Sequence, residues 1–385
     1  MPPTKEEMEK LFERVCVKAA DSHGPPERDA ESSVRKSNRR RFIEQSSEQK
    51  TELSSAYAFK LFDTDEVVER LESVSLQKDS KELQVCLRKM RGMGGRVMLK
   101  PQPNNYEKIL DGLEKRYPHF FNVVDFIRKR MRLNALKGHP VLSFGSILLD
   151  GPAGTGKTSF LMDLSTSFDT QFLSISSAAV SSSYDLTGLS GVWANSRAGK
   201  VFEILIYSAC PNPIVLLDEL DKASHEDDRH SFSGALYGLL EKNNAKRFRD
   251  EFIDVTMDAS RINWFGTSND LSRLDAPILD RFEVINVRAP NQCDLEKIVP
   301  QLFRQTVYEH ELQSVFVTEL NKEVIKKMLS YDNISIRRIK SAIETALSNA
   351  AVRVKGKGVL VSLKVEDIPD IEASGVDKKR IGFIH

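Results

Sequence analysis

The sequence predicts an α/β fold: a parallel sheet covered by helices on both faces, then a C-terminal helical lid, preceded by a small region that is mostly helical and partly disordered. Three observations carry this. Five short apolar runs, at residues 146–150, 171–176, 214–218, 262–268 and 284–287, alternate with stretches of helical spacing, the pattern of parallel strands joined by crossover helices. The first run leads into Gly151-Pro152-Ala153-Gly154-Thr155-Gly156-Lys157-Thr158, a glycine-rich turn able to open a helix. The third run ends in Asp218-Glu219, and in a parallel sheet its end lies on the same edge as the first.

In chain order, residues 1–103 stand apart. A short amphipathic segment around Met8, Leu11, Phe12 and Val15 precedes a Ser-, Glu-, Arg- and Lys-rich stretch to about residue 55. That stretch has little to bury and reads as a flexible or disordered linker. Its basic cluster, Arg35, Lys36, Arg39, Arg40 and Arg41, fits either a solvated linker or a nucleic-acid contact. Helical patterns follow at 67–74 and 82–90, broken by Gly92-Met93-Gly94-Gly95. From Tyr106 the spacing becomes regular: Tyr106, Ile109, Leu110 and Leu113 share one helical face, and Phe120, Val123, Val124, Ile127 and Met131 the next. Beyond Pro290 only helical patterns occur, at 295–310, 318–329 and 336–353, closed by a short strand signal at Val359-Leu360-Val361. The expected division is 1–103 for the N-terminal region, 104–289 for the α/β part, 290–371 for the helical lid and 372–385 for a tail.

Composition excludes several classes. The 385 residues carry a formal net charge of +1, so no overall field draws the chain to nucleic acid or an anionic membrane. Cys16, Cys86, Cys210 and Cys293 are far apart, with neither disulfide-framework nor zinc-ligand spacing. The N-terminus has no apolar core of a signal peptide, and no run is long enough to span a bilayer. A reducing, cytoplasmic setting is expected, without a membrane partner.

The chemistry sits at the strand ends. A glycine loop between strand and helix brings backbone N–H groups against phosphate, Lys157 reaches the terminal phosphates, and the Thr158 hydroxyl suits Mg²⁺. This phosphate-binding loop, residues Gly151 to Thr158 with Ser159 following, makes ATP or GTP the expected ligand. Asp218 is placed to hold the Mg²⁺ shell with Thr158, and Glu219 to orient and deprotonate a water. The fourth run ends at Ser268-Asn269, and Asn269 can donate to a phosphate oxygen and accept from an attacking water without adding charge.

This order of motifs resembles the AAA+ ATPases, and specifically the ATPase part of Lon proteases, over roughly residues 104–370. Similar stretches are residues 198–203, 212–222, 248–255 and 276–285. The resemblance implies an AAA+ P-loop NTPase fold with ATP and Mg²⁺. It places Asn269 at the sensor-1 position, Arg281 at the arginine finger and Arg337 at the sensor-2 arginine, with Arg338 as competitor one residue on. A finger acting on a neighbour's nucleotide implies a homo-oligomeric ring, in this family a hexamer. It also places a pore loop at Val192-Trp193, whose aromatic residue would grip an extended protein client. Two departures stand out: no Ser-Lys peptidase domain follows the lid, and about 100 unmatched residues stand where Lon has its long N-domain. The expected function is ATP-driven protein unfolding or remodelling by a ring, not a self-contained protease. A nucleic-acid remodeller and a nucleotide-dependent switch or scaffold are the alternatives. Ile381-Gly382-Phe383 resembles the tripeptide with which ClpX-type unfoldases dock on a separate peptidase, so a peptidase or effector in trans is a further expectation.

Overall fold

In a computed structural model of the chain the described residues are 56–75, 81–179, 182–190, 196–208, 210–223, 232–331, 335–354 and 360–370. The basic cluster at 35–41, the expected pore-loop residues Val192 and Trp193, and the tail from 371 lie outside them.

The chain begins with β1 (Ala58–Lys60), α1 (Thr64–Ser75), α2 (Lys81–Met93) and β2 (Arg96–Met98), followed by α3 (Tyr106–Arg116) and α4 (Phe121–Ala135). Next come β3 (Ile147–Asp150), α5 (Lys157–Ser167), β4 (Phe172–Ser176), α6 (Lys200–Tyr207), β5 (Ile214–Asp218) and α7 (Phe232–Leu240). Two short strands, β6 (Phe248–Arg249) and β7 (Thr256–Met257), precede β8 (Asn263–Ser268) and β9 (Glu283–Asn286). Helices α8 (Gln292–Glu309), α9 (Lys322–Leu329) and α10 (Ile336–Ala351) follow.

Strands β3, β4, β5, β8 and β9 form one parallel sheet in the order β4-β5-β8-β3-β9. The α/β class is therefore as expected, and each expected strand appears within a residue of its boundaries. The two-residue period of the strands decides which helix each side chain meets. Ile147 and Leu149 of β3 pack with Ile214, Leu216 and Phe265, under α3, α4 and α5. Leu148 faces the opposite way, with Val215, Leu217 and Trp264, under α6 and α7. All three β3 residues are fully buried, each removing apolar surface worth about 1.5–3 kcal/mol.

The described residues before the expected boundary at 103, namely 56–75 and 81–103, are joined to the core of the sheet. Val67, Val74, Leu83, Leu87 and Met90 of α1 and α2 lie in the same apolar core as Leu148, Val215 and Trp264, and the compact unit begins at Ala56. The anchor is partly polar. Glu66 accepts from the backbone N–H of Thr256 at 3.1 Å and pairs with Arg249 at 3.4 Å, while Phe62 bridges Met257. Strands β1 and β2, paired antiparallel, went unforeseen because three-residue strands carry too little periodicity to register.

The lid has its own core, built on Leu295, Val299, Phe303, Val307, Val324, Ile339, Ile343 and Leu347. Helix α9 starts at Lys322 and not at 318 because the Asn321 side chain caps it, accepting from the Glu323 N–H. Of the strand signal at 359–361, Val359 lies outside the described residues, and Val361 forms a parallel bridge with Phe316. Arg353 pairs with Asp367 and ties the segment beyond residue 360 to the end of α10. Among the described residues no helix is long and apolar enough to cross a membrane.

Candidate functional site

The tip of β3 turns sharply into the glycine loop, and two of its glycines are irreplaceable on geometry. Gly151 has φ +154°, and a Cβ there would lie 2.1 Å from the Val287 carbonyl oxygen on the strand side. Gly154 has φ +77°, and its Cβ would lie 2.9 Å from the Ser335 Cβ of the lid. The loop delivers Lys157 to the start of α5, where its Nζ donates to the carbonyls of Gly151 (2.5 Å) and Pro152 (3.2 Å) and to Asn269 Oδ1 (3.0 Å). Burial pulls the Lys157 pKa below its ordinary value, with Asp150, Asp221, Asp218 and Glu219 opposing. A phosphate would meet an ammonium already gathered beneath the loop.

Asp218, at the tip of β5, accepts from the Thr158 hydroxyl at 3.1 Å and from the Thr267 hydroxyl at 2.5 Å. The same Thr267 oxygen accepts from the Glu219 N–H at 2.8 Å. Thr267 thus holds both acidic residues from the neighbouring strand, and Glu219 takes a left-handed backbone, φ +56°. Its carboxylate pairs with Lys222 at 2.8 Å. Thr158 and Asp218 bring a hydroxyl and a carboxylate together as hard oxygen donors, which suits Mg²⁺. Among the described residues no cluster of three His, Cys, Asp or Glu side chains could hold a metal. Asp150 and Asp221 each keep one buried carboxylate oxygen without a partner, and burial raises the Asp150 pKa.

These groups form one end of a cleft of about 680 Å³, within the usual range for small-molecule sites. Residues Ala153 to Ser159, Asp218, Glu219 and Asn269 line it on the sheet side; Ile298, Leu302, Tyr308, Ile336 and Arg337 line it from the lid. The two sides touch where the Ile336 N–H donates to the Gly154 carbonyl at 3.1 Å. Of the two candidate arginines, Arg337 lines the cleft; Arg338 does not, and its backbone N–H bonds the Ser335 cap.

The structure does not bring Arg281 into this cleft. Its guanidinium donates to the Pro277 carbonyl at 2.7 Å, reaches Glu241 at 3.4 Å and lies 5.6 Å from the centre of the Tyr237 ring. Buried Nε finds no partner.

Sequence reasoning missed several lining residues. Thr267 had no local signal, because its importance comes from a strand pairing. Tyr117, His119 and Asp163 also line the cleft. Tyr117 donates to Asp163 at 3.0 Å, and burial, with the Asp163 charge, pushes the phenol well above its ordinary pKa. His119 bonds the Thr155 carbonyl at 2.8 Å. The only available signal was a histidine inside the aromatic run Tyr117-Pro118-His119-Phe120-Phe121. Lys340, one turn beyond Arg337, adds a lid cation paired with Glu309 at 2.7 Å.

Comparison with known proteins agrees with this geometry. Residues 147–288 match the family described as "ATPase family associated with various cellular activities (AAA)". The mitochondrial Lon protease homolog of Yarrowia lipolytica is 26% identical over 283 residues, 71% of this chain and 23% of that protein. The Lon protease of Fusobacterium nucleatum is 27% identical over 223 residues, 57% of this chain and 29% of its own length. That of Bacillus thuringiensis is 30% identical over 202 residues, 52% and 24% respectively. This chain therefore spans about a quarter of the length of these relatives. Strand order, phosphate loop, acidic strand tip and helical lid agree with the family match: residues 147–288 carry an AAA ATPase domain, and the region around it is similar to Lon proteases.

Proposed function

We propose that this chain is the ATP-hydrolysing subunit of a homo-oligomeric ring, a hexamer, that unfolds or remodels protein clients. The observation that carries the ATPase reading is the connected set Lys157, Asn269, Thr158, Asp218, Thr267 and Glu219 at three neighbouring strand tips. In this reading the loop N–H groups of residues 151–158 and Ser159 hold the phosphates, and Lys157 exchanges its carbonyl partners for phosphate oxygens. Thr158 and Asp218 would hold Mg²⁺, which supplies charge neutralisation at the phosphates. Glu219 leaves Lys222 to take a proton from the attacking water, and Asn269 positions that water. Arg337 reads the nucleotide from the lid. Arg281 leaves its Tyr237 and Glu241 contacts to act on a neighbour's nucleotide, a role that can bring about 10³–10⁵ in rate. Client gripping is assigned to Val192 and Trp193, on the strength of the Lon resemblance.

The test uses two variants. Glu219→Gln should bind ATP while turnover falls about 10²–10⁴-fold, and Arg281→Ala should bind ATP yet hydrolyse it poorly. A mixture should recover activity, because some mixed interfaces pair an intact Glu219 with an intact Arg281. Full turnover by a monomer in sedimentation would refute the ring, and near-normal turnover in Glu219→Gln would remove the base assignment.

A further inference from the structure

Asp250 stands in the turn between β6 and β7 and is fully buried. Its Oδ1 accepts from the N–H groups of Phe252 (3.0 Å) and Ile253 (3.1 Å), two and three positions on, and so fixes its own turn. Its Oδ2 makes a bond the turn does not need, accepting at 2.8 Å from the N–H of Gly199, the N-cap of α6, 51 positions away. The same carboxylate packs against Gly188. A Cβ on Gly188, whose φ is +81°, would come 2.4 Å from Oδ1 and 2.8 Å from Cγ and Oδ2. Gly188 and Gly199 are the two stems of one segment. Leu189 and Arg197 pair across it, the Leu189 N–H donating to the Arg197 carbonyl at 2.8 Å. Arg197 also pairs with Asp185 at 2.5 Å, and the Glu251 N–H donates to the Thr187 carbonyl at 2.7 Å. One buried carboxylate therefore joins both stems to the β6–β7 turn. The turn is itself held by α1, where Arg70 Nε donates to the Ile253 carbonyl at 3.2 Å and Glu66 accepts from the Thr256 N–H at 3.1 Å.

We propose that Asp250 is the positioning residue of the client-gripping segment, holding Gly188 and Gly199 so that the chain between them leaves and re-enters the fold at fixed points. The inference rests on the reading that Val192 and Trp193 grip protein clients, and it deepens that reading by naming what fixes the grip. Hydrogen bonds to an ionised carboxylate are stronger than neutral ones, and losing one partner leaves a buried group unpaired. A contact segment whose two ends are already held loses less freedom when it takes an extended chain, so the same contacts bind more tightly. Asp250 touches neither nucleotide nor client. Its effect passes through the two stems.

The experiment measures hydrogen exchange by mass spectrometry on the full chain, together with stimulation of ATP turnover by carboxymethylated lactalbumin, a permanently unfolded protein. In the wild-type protein under rising urea, peptides covering residues 184–190, 196–204 and 248–255 should open together, as one cooperative unit. Asp250→Asn keeps the shape of the side chain but turns one acceptor oxygen into a donor. Exchange in 184–190 and 196–204 should then rise about 10- to 100-fold, with peptides from β5 and β8 unchanged. Gly188→Ala, which displaces the same carboxylate from its other partner, should do likewise and covers the case in which Asp250→Asn does not fold. In either variant the lactalbumin concentration for half-maximal stimulation should rise about tenfold while the saturated rate is kept, a split that general loss of structure would not produce. Separate opening of stems and turn in the wild-type protein, unchanged exchange in both variants, or exchange raised equally throughout the sheet would each overturn the assignment. So would loosened stems with an unaltered half-maximal concentration. Lactalbumin without effect on the wild-type protein would instead overturn the client reading, and the exchange rates would still decide whether Asp250 holds the stems.

Discussion

The two ends of the cleft are built on different principles. At the phosphate end every group hangs from the tip of a strand whose neighbours are set by the parallel ladder: Leu149 opposite Thr267 and Asp150 opposite Ser268 on one side of β3, Asp150 opposite Asn286 on the other. At the lid end the groups belong to α8 and α10, which have a separate apolar core. They meet the sheet side through few polar contacts, chiefly Ile336 to Gly154 at 3.1 Å and Gln301 to the Lys115 carbonyl at 3.3 Å. The phosphate end is therefore fixed by the sheet, while the lid carries its own core and joins the sheet through residues 288–291.

The contrast can be broken first at Lys157. Removing the cation with Lys157→Ala should weaken ATP binding by about 10²–10³-fold, read by calorimetry, because a buried charge partner of the phosphates is lost. An affinity within threefold of wild type would show that the lid end holds the nucleotide.

Gly154→Val tests the seam between the two ends. Its φ of +77° and the 2.9 Å approach to Ser335 mean that any side chain forces the loop or the lid to shift. Loss of roughly 1–3 kcal/mol of stability is expected, with a larger loss of ATP affinity. Unchanged affinity would mean the lid does not need its contact with the loop.

Thr267→Val sharpens the account of the phosphate end. The isosteric change deletes one bond to Asp218 and one from the Glu219 N–H, at a cost of about 1–3 kcal/mol. Turnover should fall more than ATP affinity, because the acidic pair loses its fixed position. An equal fall in both would make Thr267 a general packing residue.

The smallest effect concerns Asp250, which is fully buried and accepts from the backbone N–H groups of Gly199 (2.8 Å), Phe252 (3.0 Å) and Ile253 (3.1 Å). Burial raises its pKa from 3.8 to about 6, against those three bonds. The folded protein therefore holds this proton more tightly than the unfolded chain does. The contribution is greatest below the unfolded value and is lost as pH rises through about 6. Asp250→Asn should flatten that part of the stability–pH curve by on the order of 1 kcal/mol or more. An unchanged slope in urea titrations between those pH values would dismiss the effect.

Local chemistry made much of the molecule legible. The glycine loop, Asp218-Glu219 and the five apolar runs are each contained within a few consecutive residues, and Lys157, Thr158, Asp218 and Asn269 do meet at one edge. The helices at 67–74 and 82–90 were also readable, although their place in the central core was not. Nothing in a helical period states which face of which sheet it will cover.

The sequence by itself determined the parallel α/β class, the phosphate loop and the acidic strand tip, because strand period, glycine backbone freedom and side-chain donor type act over distances of a few residues. Only the tertiary structure decided that Thr267 clasps Asp218 from 49 positions away, that Arg337 and not Arg338 lines the cleft, and that His119 stands under the loop with a bare nitrogen. These depend on strand order and on the docking of one core against another. Such pairings arise from burying apolar surface between segments distant in the chain, and no short stretch of residues encodes them.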